Sequence, residues 1–173
     1  MTPAGYRRLI LSRHAKSSWD DPQMADFDRP LNARGRLAAH ELGDFLASRG
    51  LEPEEVICSP ARRTRETWEG VQGAVLESLP TVRFVDALYH GGPEVMLELL
   101  KTASQPTVMM VGHNPAIAEF AATLPARPIY TPDFRKYPTC ATLIVDFQID
   151  DWTQAKPGTG SVLDFFTPSV RGR

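Results

Sequence analysis

The chain has 173 residues, of which 42% are hydrophobic and 23% are charged, and its formal net charge is −2 with neutral histidines. These values are ordinary for a soluble globular protein, and we expect a single domain over residues 1–173 with a sizeable core. Because positive and negative charges nearly balance, nothing indicates a surface for nucleic acid or membranes, and any strong attraction for anions must come from local clusters of arginine.

The first predicted element is a short buried strand at Leu9–Leu11, which ends at the polar residues Ser12-Arg13-His14. This apolar run is too short for the core of a signal peptide, and no stretch of the sequence approaches the length of a transmembrane helix. We therefore expect a cytoplasmic protein. A polar segment from Lys16 to Pro30 follows the strand and is predicted to be a loop.

The remaining pattern alternates between helices and strands. Asn32 is suited to cap a helix with apolar residues from Leu37 to Leu46, and Gly50 is a fitting stop signal. Asn114 and Pro115 provide a cap and a first-turn proline for a later helix. The other predicted elements are strands at 56–58, 82–88, 108–111, 143–145 and 162–163, and helices at 64–75 and 93–100. This alternation predicts a layered α/β domain.

Three polar clusters directly follow three of the predicted strands. They are Arg13-His14, the segment from Ser59 to Arg65, and Gly112-His113-Asn114. If these strands are neighbours in one sheet, the clusters converge at one edge of it. Arginine presents a planar fork of donors that matches phosphate oxygens, and neutral histidine can attack phosphorus without a metal. The clusters therefore favour phosphoryl chemistry.

The three clusters resemble the motifs of the histidine phosphatase superfamily, also called phosphoglycerate mutase-like. Arg13-His14-Ala15-Lys16 is similar to its Arg-His-Gly signature, the segment Ser59 to Thr67 is similar to Ser-Pro-x-x-Arg-Ala-x-x-Thr, and Gly112-His113-Asn114-Pro115 is similar to its third motif. Nearly the whole chain resembles the short SixA-type phosphohistidine phosphatases. The resemblance implies an α/β fold, a three-layer α/β/α sandwich with a central, mostly parallel mixed sheet.

The resemblance also implies roles for matching residues. His14 would be the nucleophile, and Arg13 and Arg63 would bind the transferred phosphoryl group. His113 would donate a hydrogen bond to that group and stabilise the transition state. Arg63, rather than its neighbour Arg62, matches the arginine of the second motif.

Further assignments complete the expected site. Asp86 matches the general acid that larger relatives place after the third strand, and Lys16 and Arg29 are candidates for binding substrate. The chain departs from the usual pattern at Ala15, where relatives have Gly, and at Asp20, where many have Asn. Because a carboxylate beside phosphate would repel it, we expect Asp20 to point away or to pair with Arg29.

The sequence contains no spacing typical of a metal site and no Walker loop, so no metal or other cofactor is expected. Cys58 and Cys140 do not make a disulfide framework, and we expect buried thiols. The expected partner is a phosphorylated substrate, for which the resemblance suggests a phosphohistidine-bearing protein, with neither nucleic acid nor a membrane. Two alternatives stay open: a small-molecule phosphomonoesterase or mutase of the same superfamily, and a non-catalytic module that binds a phosphorylated ligand.

Overall fold

The computed structural model describes residues 2–74 and 78–169, and its centre is one six-stranded sheet. The strands are β1 (Arg7–Arg13), β2 (Glu55–Cys58), β3 (Thr81–Phe84), β4 (Thr107–Gly112), β5 (Thr142–Phe147) and β6 (Ser161–Phe166). They lie in the order β3-β2-β4-β1-β5-β6. The pairs among β1 to β4 are parallel, whereas β5 pairs antiparallel with β1 and with β6.

Helices cover both faces of the sheet. They are α1 (Ala33–Ser48), α2 (Arg62–Gln72), α3 (Ala87–His90), α4 (Pro93–Lys101), α5 (Ala116–Thr123) and α6 (Pro132–Lys136), with 3-10 turns at Asp26–Asp28 and Trp152–Gln154. Side chains of α1 and α2 share one buried cluster, and those of α4, α5 and α6 share another. The expected three-layer α/β/α fold with a mostly parallel mixed sheet is therefore confirmed. Within the described ranges, none of the helices has the length and apolar character needed to cross a membrane.

The two clusters lie on opposite faces of the sheet because successive side chains of a strand point in opposite directions. In β1, Leu9 and Leu11 belong to the cluster with α4 and α5, whereas Ile10 belongs to the cluster with α1 and α2. The strand is buried on both faces, which explains its continuous apolar sequence. Cys58 and Cys140 are both buried thiols, as expected.

The first helices form where the sequence predicts them. The cap of α1 is confirmed, because the side chain of Asn32 accepts a hydrogen bond from the N–H of Gly35 at 2.8 Å. The helix predicted at 64–75 is α2, which spans Arg62–Gln72. Val75 lies outside the described residues.

The strand predicted at 82–88 is wrong beyond Phe84. Here the N–H of Leu88 donates to the carbonyl of Val85, and the chain turns into α3 instead of continuing along the sheet. Leu88 is buried as part of that turn, so its apolar character reflects helix packing and not a strand face. The short helix α6 has no counterpart among the predicted elements.

Gly35 sets the distance between α1 and the loop that follows His14. A Cβ atom at position 35 would lie 2.1 Å from the carbonyl oxygen of Lys16, a backbone atom that cannot move alone. The same carbonyl accepts a hydrogen bond from the N–H of Asn32 at 3.0 Å, which fixes it further. No larger residue fits at this position without displacing the loop.

Gly35→Ala is therefore expected to lower the free energy of unfolding by about 2 kcal/mol or more, since the overlap forces backbone to shift. Urea denaturation measures the loss. Gly73→Ala is the matched control, because its Cβ would face the movable ring of His40 at 3.3 Å. Equal losses in the two variants would contradict the argument from close packing.

Candidate active site

The carboxyl ends of β1, β2 and β4 bring the three polar clusters together. The N–H of His14 donates to the carbonyl of Gly112 at 3.0 Å, and the N–H of Ser59 donates to the carbonyl of Val111 at 3.0 Å. The ring centroids of His14 and His113 lie 5.3 Å apart. Side chains that are far apart in the sequence thus share one edge of the sheet.

His14 is buried and held in one tautomer. Its Nδ1 lies 2.7 Å from the carbonyl oxygen of Ala15, and because a carbonyl only accepts, the ring proton resides on Nδ1. Burial lowers the pKa of His14 to about 3; the hydrogen bond to Ala15 opposes this, while the positive charges of Arg13 and Arg63 add to it. The neutral ring therefore keeps a free lone pair on Nε2, which is the form a nucleophile requires.

The hydrogen bonds of His113 differ from those of His14. Its Nε2 lies 2.8 Å from the hydroxyl oxygen of Ser59, and that hydroxyl already accepts from the N–H of Ala61 at 3.4 Å. The hydroxyl can donate to Nε2 while it accepts from Ala61, and in that tautomer the ring proton of His113 is on Nδ1. Burial lowers the pKa of His113 to about 4, and the nearby charge of Arg63 acts in the same direction.

Two guanidinium groups complete the cluster. Arg13 donates through Nη1 to the carbonyl of Tyr137 at 3.1 Å. Arg63 is buried and donates to the carbonyl of Asp26 at 2.8 Å and to its carboxylate at 3.1 Å. Burial and the repulsion from Arg63 both lower the pKa of Arg13, so the two positive charges lie close enough to oppose each other.

Three buried nitrogen atoms of this cluster have no hydrogen-bond partner within residues 2–74 and 78–169: Nε of Arg13, Nε of Arg63 and Nδ1 of His113. An unsatisfied buried donor costs roughly 1–3 kcal/mol, and more when the group is charged. A group with several acceptor oxygens and negative charge would relieve these costs together. The site next to His14 is therefore suited to an anion such as a phosphoryl group.

Sequence reasoning missed Asp26 and Tyr89. The carboxylate of Asp26 accepts hydrogen bonds from Arg63, from Arg29 and from the hydroxyl of Tyr89, the last at 2.5 Å. Burial alone would raise the pKa of Asp26, but the bond from Tyr89 and the charge of Arg63 hold it at about 2. Nothing in the composition of the loop distinguishes Asp26 from its other acidic residues.

Arg29 is buried but engages the loop itself. Its Nη1 donates to the hydroxyl of Ser17 at 2.8 Å, and its Nη2 donates to the carboxylate of Asp26 at 3.0 Å. Of the two positions expected for Asp20, the pairing with Arg29 is not formed, because Asp26 takes that place; Asp20 is exposed. Lys16 is exposed as well, and its carbonyl supports the start of α1.

Asp86 precedes α3 and is exposed. Its carbonyl accepts from the N–H of Tyr89 at 3.0 Å, which places it one helical turn from a ring that contacts His113. Among the described residues, its carboxylate makes no hydrogen bond or ion pair. Its assignment as the general acid stays a prediction.

The predicted capping role of Asn114 is wrong. Helix α5 has no side-chain cap, and the amide of Asn114 instead donates to the carbonyls of Lys136 and Tyr137 at 3.0 and 3.1 Å. Arg13 donates to the same carbonyl of Tyr137, so this oxygen holds both side chains. The residue after His113 therefore helps to place a guanidinium of the site.

A cleft of about 320 Å³ opens beside His113. It is lined by Tyr89 and His90 of α3 and by Asn114 and Glu119 on the opposite side. The structure thus offers room next to the anion site for part of a larger molecule. Within the described ranges, no group of three or more His, Cys, Asp or Glu side chains is arranged to hold a metal ion.

Residues 9–88 match the sequence model of the histidine phosphatase superfamily, branch 1. An uncharacterized chloroplastic protein of Arabidopsis thaliana is 33% identical over 86% of this chain and 70% of its own length. The solved structure of a proposed phosphohistidine phosphatase SixA from Nakamurella multipartitia is 27% identical with a TM-score of 0.79, covering 98% of this chain and 100% of that one. A second proposed SixA, from Agrobacterium tumefaciens, is 27% identical with a TM-score of 0.74, covering 97% and 100%.

The neutral rings of His14 and His113 make stability depend on pH. Their pKa values are about 3 and about 4 in the folded protein, against 6.5 for an unperturbed histidine. As the pH falls below 6.5, the unfolded chain takes up protons at both positions and the folded chain does not. Stability therefore decreases from pH 6.5 downward until the folded protein also takes up protons.

We expect each of the two histidines to contribute about 2 kcal/mol to the stability lost between pH 6.5 and 4.5. His14→Gln should reduce that loss accordingly, as measured by urea unfolding in buffers without phosphate or sulfate. The same substitution at an exposed histidine of α1, His40→Gln, is the matched control. An unaltered slope in His14→Gln would show that His14 is not kept neutral by folding.

Proposed function

Because the chain belongs to the histidine phosphatase superfamily, as a phosphatase of the SixA type, we propose that it hydrolyses phosphohistidine through a phosphoenzyme formed on His14. The observation that carries this proposal is the set of three buried, unpartnered donors beside the neutral ring of His14. The resemblance to two solved structures of proposed phosphohistidine phosphatases supports the substrate class.

In the first step, the lone pair on Nε2 of His14 attacks phosphorus in line with the leaving group. A bond from phosphorus to Nε2 forms, and the bond to the leaving group breaks with its electron pair. Arg13, Arg63 and His113 hold the oxygens of the phosphoryl group as charge develops on them. The carbonyl of Ala15, bonded to Nδ1–H, stabilises the positive charge that the ring acquires.

In the second step, water attacks the phosphorus and the bond to Nε2 breaks. Inorganic phosphate leaves, and the electron pair returns to the ring of His14. Burial and the surrounding positive charges favour the neutral ring at this stage, as in the free enzyme. The cycle then starts again from the same tautomer.

Phosphohistidine suits this site as a substrate because its leaving nitrogen departs more readily than an alkoxide once it is protonated. Such a substrate makes a small demand on a protein acid. We assign that residual role to Asp86, and we assign Lys16 and Arg29 to contacts with substrate outside the phosphoryl group. The exposed position of Asp86 at the start of α3 is compatible with proton exchange with solvent.

His14→Ala is expected to lose essentially all turnover, because it removes the attacking nitrogen, and Nε2 of the neighbouring His113 is bonded to Ser59. Brief incubation of the wild-type protein with labelled substrate should yield an acid-labile, base-stable phosphate on the protein, as a phosphoramidate requires. His40→Ala, a change on the exposed face of α1, should retain both activity and label. Near-normal turnover in His14→Ala would rule out this mechanism.

Asp86→Asn tests the acid. Loss of a general acid should lower kcat for an alkyl phosphate by about 100-fold, and should change kcat for phosphohistidine much less. Steady-state kinetics with both substrates measure the difference. Asp28→Asn serves as the control, because Asp28 is an exposed carboxylate on the loop before α1. Equal effects of Asp86→Asn on the two substrates would remove Asp86 from the mechanism.

A further inference from the structure

Two aromatic side chains on the loop between β1 and α1 face solvent. Trp19 is 74% exposed and Phe27 is 37% exposed. Scattered apolar residues at the surface are normal, so exposure alone does not indicate a function. The relevant question is what holds these two rings in place.

The ring of Trp19 packs against Arg29, which is connected to the candidate active site. The guanidinium of Arg29 lies 3.5 Å from the centroid of its ring, a close cation–π contact. Arg29 in turn donates to the carboxylate of Asp26, which binds Arg63. A short chain of contacts thus connects an exposed indole to Arg63, which carries one of the unpartnered donors.

The ring of Phe27 packs against a different residue, Tyr89. Its ring packs edge-on against Tyr89 with the centroids 5.2 Å apart, and the ring of Tyr89 lies 5.5 Å from that of His113. The hydroxyl of Tyr89 donates to Asp26, the residue next to Phe27 in the chain. Both exposed rings are therefore connected to the same carboxylate, Trp19 through Arg29 and Phe27 through Tyr89, and that carboxylate binds Arg63.

The side chains that make up this surface, Trp19 and Phe27 with Arg29 beneath Trp19, indicate that its binding partner is a protein. Rigid aromatic rings supported by arginine and surrounded by polar groups are typical of the residues that dominate protein–protein binding. The same loop exposes the carboxylates of Asp20, Asp21 and Asp28, which would repel the backbone of a nucleic acid. The buried donors are suited to the phosphoryl group itself, whereas Trp19 and Phe27 are exposed and separate from those donors.

We propose that Trp19 and Phe27 form a docking surface for a folded protein that presents its phosphohistidine to His14. This inference rests on the proposed function and adds to it a site that selects the carrier of the phosphoryl group. Binding energy from the two rings contributes to recognition of the protein, and the buried donors act on the phosphoryl group alone.

The test compares two substrates. One is a folded phosphocarrier protein phosphorylated on histidine with phosphoramidate, and the other is free phosphohistidine. Trp19→Ala and Phe27→Ala should each lower kcat/KM for the phosphoprotein about tenfold or more, mainly through KM, and should change kcat/KM for free phosphohistidine by less than about twofold. Steady-state phosphate release measures both.

Leu79→Ala is the matched control. Leu79 is 77% exposed, and it precedes β3, so it lies at the amino edge of the sheet, away from the site. It should leave both substrates unaffected. Equal kinetics of Trp19→Ala, Phe27→Ala and wild type with the phosphoprotein would overturn the docking surface, as would a wild-type enzyme that hydrolyses free phosphohistidine but not the phosphoprotein. Failure of both substrates would instead refute the proposed function.

Discussion

The active site depends on the burial of two guanidinium groups and two imidazole rings at one edge of the sheet. Such a cluster is unstable by itself, because like charges repel and buried donors lack partners. The protein limits this cost in two ways: folding keeps both histidines neutral, and Asp26 neutralises one arginine. Under the proposed function, a phosphoryl group would relieve the part of the cost that comes from the remaining unpartnered donors.

Asp26 has two opposing effects on the binding of an anion at this site. Its carboxylate pairs with Arg63, which keeps the guanidinium oriented, yet it also puts a negative charge beside a candidate site for anions. Tyr89 and Arg29 also donate hydrogen bonds to this carboxylate, which partly compensates its negative charge. Asp26 can therefore position Arg63. Because its charge is compensated by these hydrogen bonds, it repels a nearby anion less strongly.

The convergence of the three polar clusters could be predicted because each cluster follows a buried strand, whereas the roles of their residues are implied by the resemblance. For His14 and His113, strand order and a parallel register suffice to bring them together. Asp26 could not be predicted, because its position depends on how a polar loop folds back across α2, and the loop has no periodic pattern. Leu88 and Asn114 were misassigned for a related reason, since local sequence does not reveal which distant carbonyl or helix a side chain will meet.

The two ends of the loop that carries Trp19 are bonded to each other, which fixes the position of the loop next to the candidate active site. Ser17 and Leu31 form a β-bridge, and the carbonyl of Lys16 accepts from Asn32 where Gly35 leaves space for it. Residues near the two ends of the loop are thus tied together beside His14. The loop therefore holds Trp19 at a fixed position relative to His14, and the proposed docking of a phosphorylated side chain requires such a fixed geometry.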